Sequence, residues 1–169
     1  YIAGITNYLT KEIKNSLNEG KIVLNNLNNS NDTAIGGLVN INNGDIINSV
    51  NEGNLSARLS NIGNLYGGGI ATINGKMIKD SWNLGNFNIK NLDSIDNALT
   101  YDLDNANHIT SYKGGVTIGG ISAKIIAGKI MDSINSGNIL GISENYVRSG
   151  GIVGESENDT SLINLINYG

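Results

Sequence analysis

Apolar and polar residues alternate along this chain in short runs, and the runs return at a fixed interval. The stretch at 35–56, IGGLVNINNGDIINSVNEGNLS, shows the unit. It holds three apolar runs, GGLVNI, GDIINSV and GNLSA, each bounded by Gly or Asn. Alternation with period two is the pattern of strands with one buried face, and Gly and Asn both disfavour helix interiors. Aligned on the apolar residue after the glycines, the copies fall at Ile5, Leu38, Ile70, Ile121 and Ile152, with gaps of 33, 32, 51 and 31 residues. Aligned on the glycine closing the second half, they fall at Gly20, Gly53, Gly85, Gly137 and Gly169, with gaps of 33, 32, 52 and 32. Both landmarks give a period near 32 and one insertion of about 19 residues before the fourth copy.

The second half of the unit reads NSLNEGKI, NSVNEGNL, DSWNLGNF, DSINSGNI and NLINYG. One asparagine never changes: Asn18, Asn51, Asn83, Asn135 and Asn167. An asparagine at one place per coil is placed to hydrogen-bond to its copies above and below. The preceding residue is always apolar (Leu17, Val50, Trp82, Ile134, Ile166), and this column predicts core, Trp82 included. Gly20, Gly53, Gly85 and Gly137 suit bends where φ is positive and a side chain would clash.

Three short strands and three turns fit 32 residues as one rung of a solenoid. The expected fold is therefore all-β, a right-handed parallel β-solenoid of about five rungs with one insertion. At the usual strand separation five rungs make a rod about 24 Å long. A set of hairpins in a sandwich or propeller also shows short strands and turns, but the fixed Asn-x-Gly pairing favours stacking of like on like. The repeats span 1–24, 35–57, 67–89, 115–141 and 150–169, within a single repeat domain. Polar loops are expected at 25–34 (NNLNNSNDTA), 58–66 and 142–149 (ISENYVRS), and the insertion at 90–114, with a short helix within 93–106. Insertions in repeat proteins collect on one face, often a binding face. Tyr101 and Tyr112 in the insertion, and Tyr146 and Arg148 in the last loop, are the candidate ligand contacts.

Composition narrows the picture. Only 5% of the 169 residues are aromatic, so the core must be thin and aliphatic. A net charge of −4 supplies no basic footprint for nucleic acid. With no cysteine there is no disulfide framework. The 30 asparagines make Asn-x-Ser/Thr triplets expected by chance. No apolar run is long enough to span a bilayer, and no secretory signal is visible. The chain starts inside one repeat and stops inside another, which reads as a fragment of a longer protein.

Catalytic signals are weak. Asp102, Asp104 and their neighbours resemble the start of a calcium loop, but Ala106 stands at the fifth position and the distal glutamate is missing. His108 is the only histidine, and no zinc motif or nucleophile elbow accompanies it. The polar residues on strand faces are mostly Asn and Ser, which cannot do general acid–base work. No catalytic residue, metal ligand or cofactor is assigned. The competing reading is a β-helical glycan lyase or hydrolase using Asp102, Asp104 and His108.

With GGIVG at 150–154, and I-x-N-S-x-N-x-G-x-I recurring about eleven residues after each glycine pair, the chain resembles the bacterial GLUG repeat. The resemblance covers nearly everything except 90–114; the insertion and YIAGI in the first copy depart from it. It implies a part of a large secreted or wall-anchored bacterial protein, either an adhesin or a zinc metalloprotease that cleaves immunoglobulin A1. Such repeats lie outside the protease's catalytic domain. The implied role is a non-catalytic arm, extracellular or on the cell surface, that spaces or holds a host protein such as immunoglobulin A1 or a matrix protein.

Overall fold

The run GGLVNI, read as one strand, is two. In the second coil Thr33–Gly36 and Val39–Asn42 meet at a sharp corner. A Cβ added at Gly36 would overlap the Val39 carbonyl, so only glycine lets the chain fold back this tightly. The run GDIINSV also divides, into Asp45–Ile47 and Val50–Asn51, and GNLSA opens a longer strand, Leu55–Asn61. Each coil thus has five strand positions, and 32 residues wrap five short faces rather than the three expected. The computed structural model describes residues 1–29, 31–61, 63–91, 108–111, 114–143, 146–157 and 159–169. Its regular structure is entirely β, a parallel β-solenoid in which each of the first four faces is a sheet of five strands.

The register follows the repeat. On the fourth face Leu17 pairs with Val50, Val50 with Trp82, Trp82 with Ile134 and Ile134 with Ile166. Like therefore lies over like, the 52-residue step from the third to the fourth copy included. The expected loops are shorter than predicted. Residues 25–29 belong to the strand Ile22–Asn29, 58–61 to Leu55–Asn61, and Arg148 to Val147–Gly150. Asparagine-rich segments take up strand here because a ladder partner in the next coil satisfies their backbone groups, which outweighs propensity. The insertion is more than a loop: His108–Ser111 pairs in parallel with Leu140–Ser143 and lies against Phe87–Asn91. It adds one strand to the fifth face between the third and fourth coils. The helix expected within 93–106 falls outside the described residues.

The corner between the third and fourth faces is made by Asn and Asp, not by glycine. Asn15, Asn48, Asp80, Asp132 and Asn164 have φ of 50°, 47°, 50°, 52° and 51°. These residues tolerate the left-handed region because their short polar side chains bond locally. Among the described glycines only Gly128 has positive φ. The repeated glycines answer a different demand, room for the neighbouring coil.

Two apolar clusters fill the interior. One gathers Leu38, Ile46, Ile70, Ile78, Ile121, Ile125 and Ile130 from the second and third faces. The other gathers Ile35, Leu55, Leu65, Phe87, Val116 and Ile118 from the first and fifth. A waist lies between them. There the glycine column Gly4, Gly37, Gly69, Gly120 and Gly151 presses on the side chains of Asn18, Asn51, Asn83, Asn135 and Asn167. A Cβ on Gly37 would stand 2.6 Å from Asn51 Cγ. The second glycine of each pair and the asparagine some fourteen residues later are therefore two sides of one contact.

Candidate functional site

The invariant asparagines form a continuous internal ladder. Asn18 Nδ2 donates to Asn51 Oδ1, Asn51 to Asn83, Asn83 to Asn135 and Asn135 to Asn167, each at 2.8 Å. Each Nδ2 also donates to the carbonyl of the glycine two residues on, at 3.0 Å for Asn51 and Asn83. Both amide protons are used, so a fully buried side chain is satisfied. A serine ladder runs beside it. The amides of Ser16, Ser49 and Ser81 donate to Oγ of Ser49, Ser81 and Ser133, and each Oγ donates to the carbonyl two residues before it. These inward polar groups are committed to structure.

That ladder corrects the expected place of Trp82. Because Asn83 points inward, strand alternation turns Trp82 outward. Trp82 is 46% exposed, and Leu17 and Ile166 in the same column are 51% and 43% exposed. Val50 and Ile134 are partly covered. With Ile163 and Leu84 they make an apolar stripe along the outside of the rod. The sequence reading assumed that the most regular apolar column must be core; here the most regular polar column takes the inside instead.

A second surface lies where the first and second faces meet. Their outer sides form a hollow of about 240 Å³ lined by Tyr1, Asp32, Tyr66, Ile73, Lys124 and Ile126, with Ala34 at its floor. Beside it Arg148 reaches across the corner to Glu155 at 3.4 Å. Lys124 is 3.4 Å from Glu155 and 2.7 Å from Glu157. The Arg148 guanidinium stacks 4.3 Å from the centre of the Tyr146 ring, and the Tyr146 hydroxyl donates to Asn64 Oδ1 at 3.1 Å. The ring lies over Gly115, where any Cβ would fall inside it. The structure thus joins two of the four predicted contact residues, Tyr146 and Arg148. Tyr101 and Tyr112 lie outside the described residues, as do Asp102 and Asp104. His108 is placed only as the start of a strand. The sequence reading missed Tyr66, Lys124 and Glu155, which carry no motif; the signal was their place one strand either side of the glycine corner.

Among the described residues no group of three or more His, Cys, Asp or Glu is arranged to hold a metal ion. Among the described residues no helix is long and apolar enough to cross a membrane. The chain matches none of the protein-family models, curated proteins or solved structures with which it was compared.

Two groups in the hollow set a pH dependence. The Lys124 ammonium is held above its usual range, chiefly by its hydrogen bond to Glu157 and then by Glu155, with burial opposing. The Tyr66 hydroxyl is raised chiefly by burial, then by Asp32, Tyr146 and Glu155, with Lys124 opposing. A group that holds its proton more tightly when folded favours the fold fully below its unfolded pKa, and that contribution is lost as pH rises through the folded value. Both unfolded values lie near 10. Their contribution is therefore expected to be flat through neutral pH and to fall above about pH 10. Urea midpoints across that range check this, and Lys124→Gln with Tyr66→Phe should flatten the alkaline fall.

Proposed function

We propose that this chain is a non-catalytic repeat module of a secreted or surface-anchored bacterial protein, GLUG-like, acting as an arm that spaces or holds a protein partner. The observation that supports it is the division of labour between the two sides of the rod. Inward polar groups are spent on interrung ladders, while the column Leu17 to Ile166 leaves apolar surface facing solvent. Contiguous exposed apolar surface on a rigid element marks an interaction site more often than chance placement does. A parent protein of the immunoglobulin A1 protease or adhesin kind fits such an arm, with catalysis housed elsewhere.

The test is capture by immobilised immunoglobulin A1 and extracellular-matrix proteins, compared between the native chain and Trp82→Ser. Trp82 lies outside the core, so the substitution is expected to change stability by less than about 1 kcal/mol. Binding is expected to fall at least tenfold, since an aromatic anchor dominates an interface of this kind. Clear proteolysis or glycan cleavage by the chain, abolished by His108→Ala, would replace this reading with an enzymatic one.

A further inference from the structure

We propose that the apolar stripe on the fourth face is a contact between two copies of this chain, lying side by side and pointing the same way. The inference rests on the reading of that stripe as a protein-binding surface, and it names the partner. The starting observation is the regularity of the stripe. Leu17, Val50, Trp82, Ile134 and Ile166 stand directly over one another, one per coil. Alternation sets all five outward from the inward asparagine ladder. The outer side of this sheet therefore carries one apolar side chain about every 4.8 Å along the rod. Only a surface with the same period matches it coil for coil. Paired sheets of identical side chains form dry, closely fitted contacts, and the stripe of a second copy has that period by construction.

Charges on the two flanks fix the orientation. On the third-face side the stacked outward positions are Lys14, Ile47, Lys79, Met131 and Ile163. On the other side they are Glu19, Glu52, Leu84, Ser136 and Tyr168, each following a ladder asparagine. A two-fold axis along the rods keeps every coil level with its own copy and lays each flank over the partner's opposite flank. Lys14 then stands over the partner's Glu19, twice by symmetry. Glu52 lies within one coil's rise of both the partner's Lys14 and the partner's Lys79. Lys14, Glu19 and Glu52 take part in none of the ion pairs among the described residues, so they are available to a second chain. Two further carboxylates line the corner beside the stripe, and both are engaged within the chain. Asp80 is 3.7 Å from Lys79, and Asp132 accepts from Asn164 Nδ2 at 3.0 Å. Against them the second copy brings Leu84 and Ser136, which carry no charge. Antiparallel rods would instead lay Lys79 on its own copy and set Lys14 against Ile163 and Glu19 against Tyr168, leaving the charges unmatched.

Size sets the strength. Five coils by the width from Lys14 to Glu19 make a face of about 24 by 16 Å. Two such faces bury about 1,000 Å² in total, at the low end for specific contacts. The dimer is therefore weak and reversible, and salt loosens it through the Lys14–Glu19 pairs. Trp82 stands in the third of the five coils, so the two indoles meet at the centre and anchor the contact.

Sedimentation velocity of the full chain from about 1 to about 200 µM is the first measurement. A monomer–dimer equilibrium is expected, with Kd about 10–100 µM, weakened about tenfold by Trp82→Ser. Glu19→Lys is expected to weaken it about threefold, and Lys14→Glu combined with Glu19→Lys to recover most of that loss. The chain has no cysteine, so single cysteines joined by a short bis-maleimide crosslinker report the orientation. Leu17→Cys is expected to link to Leu17→Cys, and Ile166→Cys to Ile166→Cys, with no mixed product. A chain that stays monomeric to about 200 µM overturns the proposal. So does a dimer that Trp82→Ser leaves unchanged, or one in which Leu17→Cys links to Ile166→Cys. Capture of a host protein by a chain that stays monomeric overturns the dimer and leaves the arm reading standing. A dimer of the expected orientation that captures no host protein makes the second copy the partner that the stripe holds.

Discussion

Alanine at Asn83 is expected to lower the unfolding free energy by about 3 kcal/mol, and alanine at Asn18 by about 1 kcal/mol. The two residues occupy the same place in the repeat, so intrinsic propensity cancels from the comparison. Asn83 is fully buried and makes three amide bonds: one from Asn51, one to Asn135 and one to the Gly85 carbonyl. Its removal strips the Asn135 oxygen of its 2.8 Å donor, and leaves the Asn51 amide with only its bond to Gly53. It also opens a void against Gly69, whose backbone rests on the Asn83 side chain. Asn18 stands at one end of the ladder and is partly exposed, so water replaces what alanine removes. Urea denaturation of the two variants measures the difference. Equal losses would mean that the ladder is an incidental alignment and that the apolar lobes alone hold the coils together.

Gly85→Ala is expected to cost about 3 kcal/mol, and Gly20→Ala less than about 0.5 kcal/mol. The motif position is again the same, and neither residue has positive φ. What differs is the neighbour. A Cβ on Gly85 would overlap the Gly53 carbonyl oxygen of the coil below and stand 2.8 Å from Asn51 Nδ2. On Gly20 the nearest atom is Asn18 Oδ1, at 3.4 Å. Backbone oxygen in a ladder cannot step aside without breaking register, so the strain at Gly85 passes to both coils. Thermal unfolding of the pair is the measurement. A mild Gly85→Ala would show that the coils have slack along the rod axis, which the 2.8 Å amide ladder argues against.

Much of the fold was legible because the repeat carries its own alignment. Five copies of Asn-x-Gly gave the register, and the 52-residue step before the fourth copy located the insertion. The corners were less legible. A left-handed Asn or Asp looks like any other polar residue in sequence, so NSVN and DSWN read as continuous strand. The glycines drew the role expected of them on general grounds, positive φ, when their task is to admit a carbonyl from the next coil. The candidate site was legible only at its rim. Tyr146 and Arg148 stood out in a polar stretch, but Tyr66 and Lys124 are 58 residues apart and carry no motif. Nothing local links them.

Sequence by itself determined the period, the parallel stacking and the identity of the columns, because a repeated residue in a coil has only its own copies for neighbours. It did not determine which columns face inward. Asn83 and Trp82 are adjacent, and alternation demands only that they point to opposite sides. Hydrophobicity alone would bury the tryptophan. The tertiary structure decided otherwise: the waist between the apolar lobes is one glycine wide, too narrow for an indole, and an amide that bonds above, below and to its own turn costs little to bury there. The same narrowness turned the apolar column out to solvent.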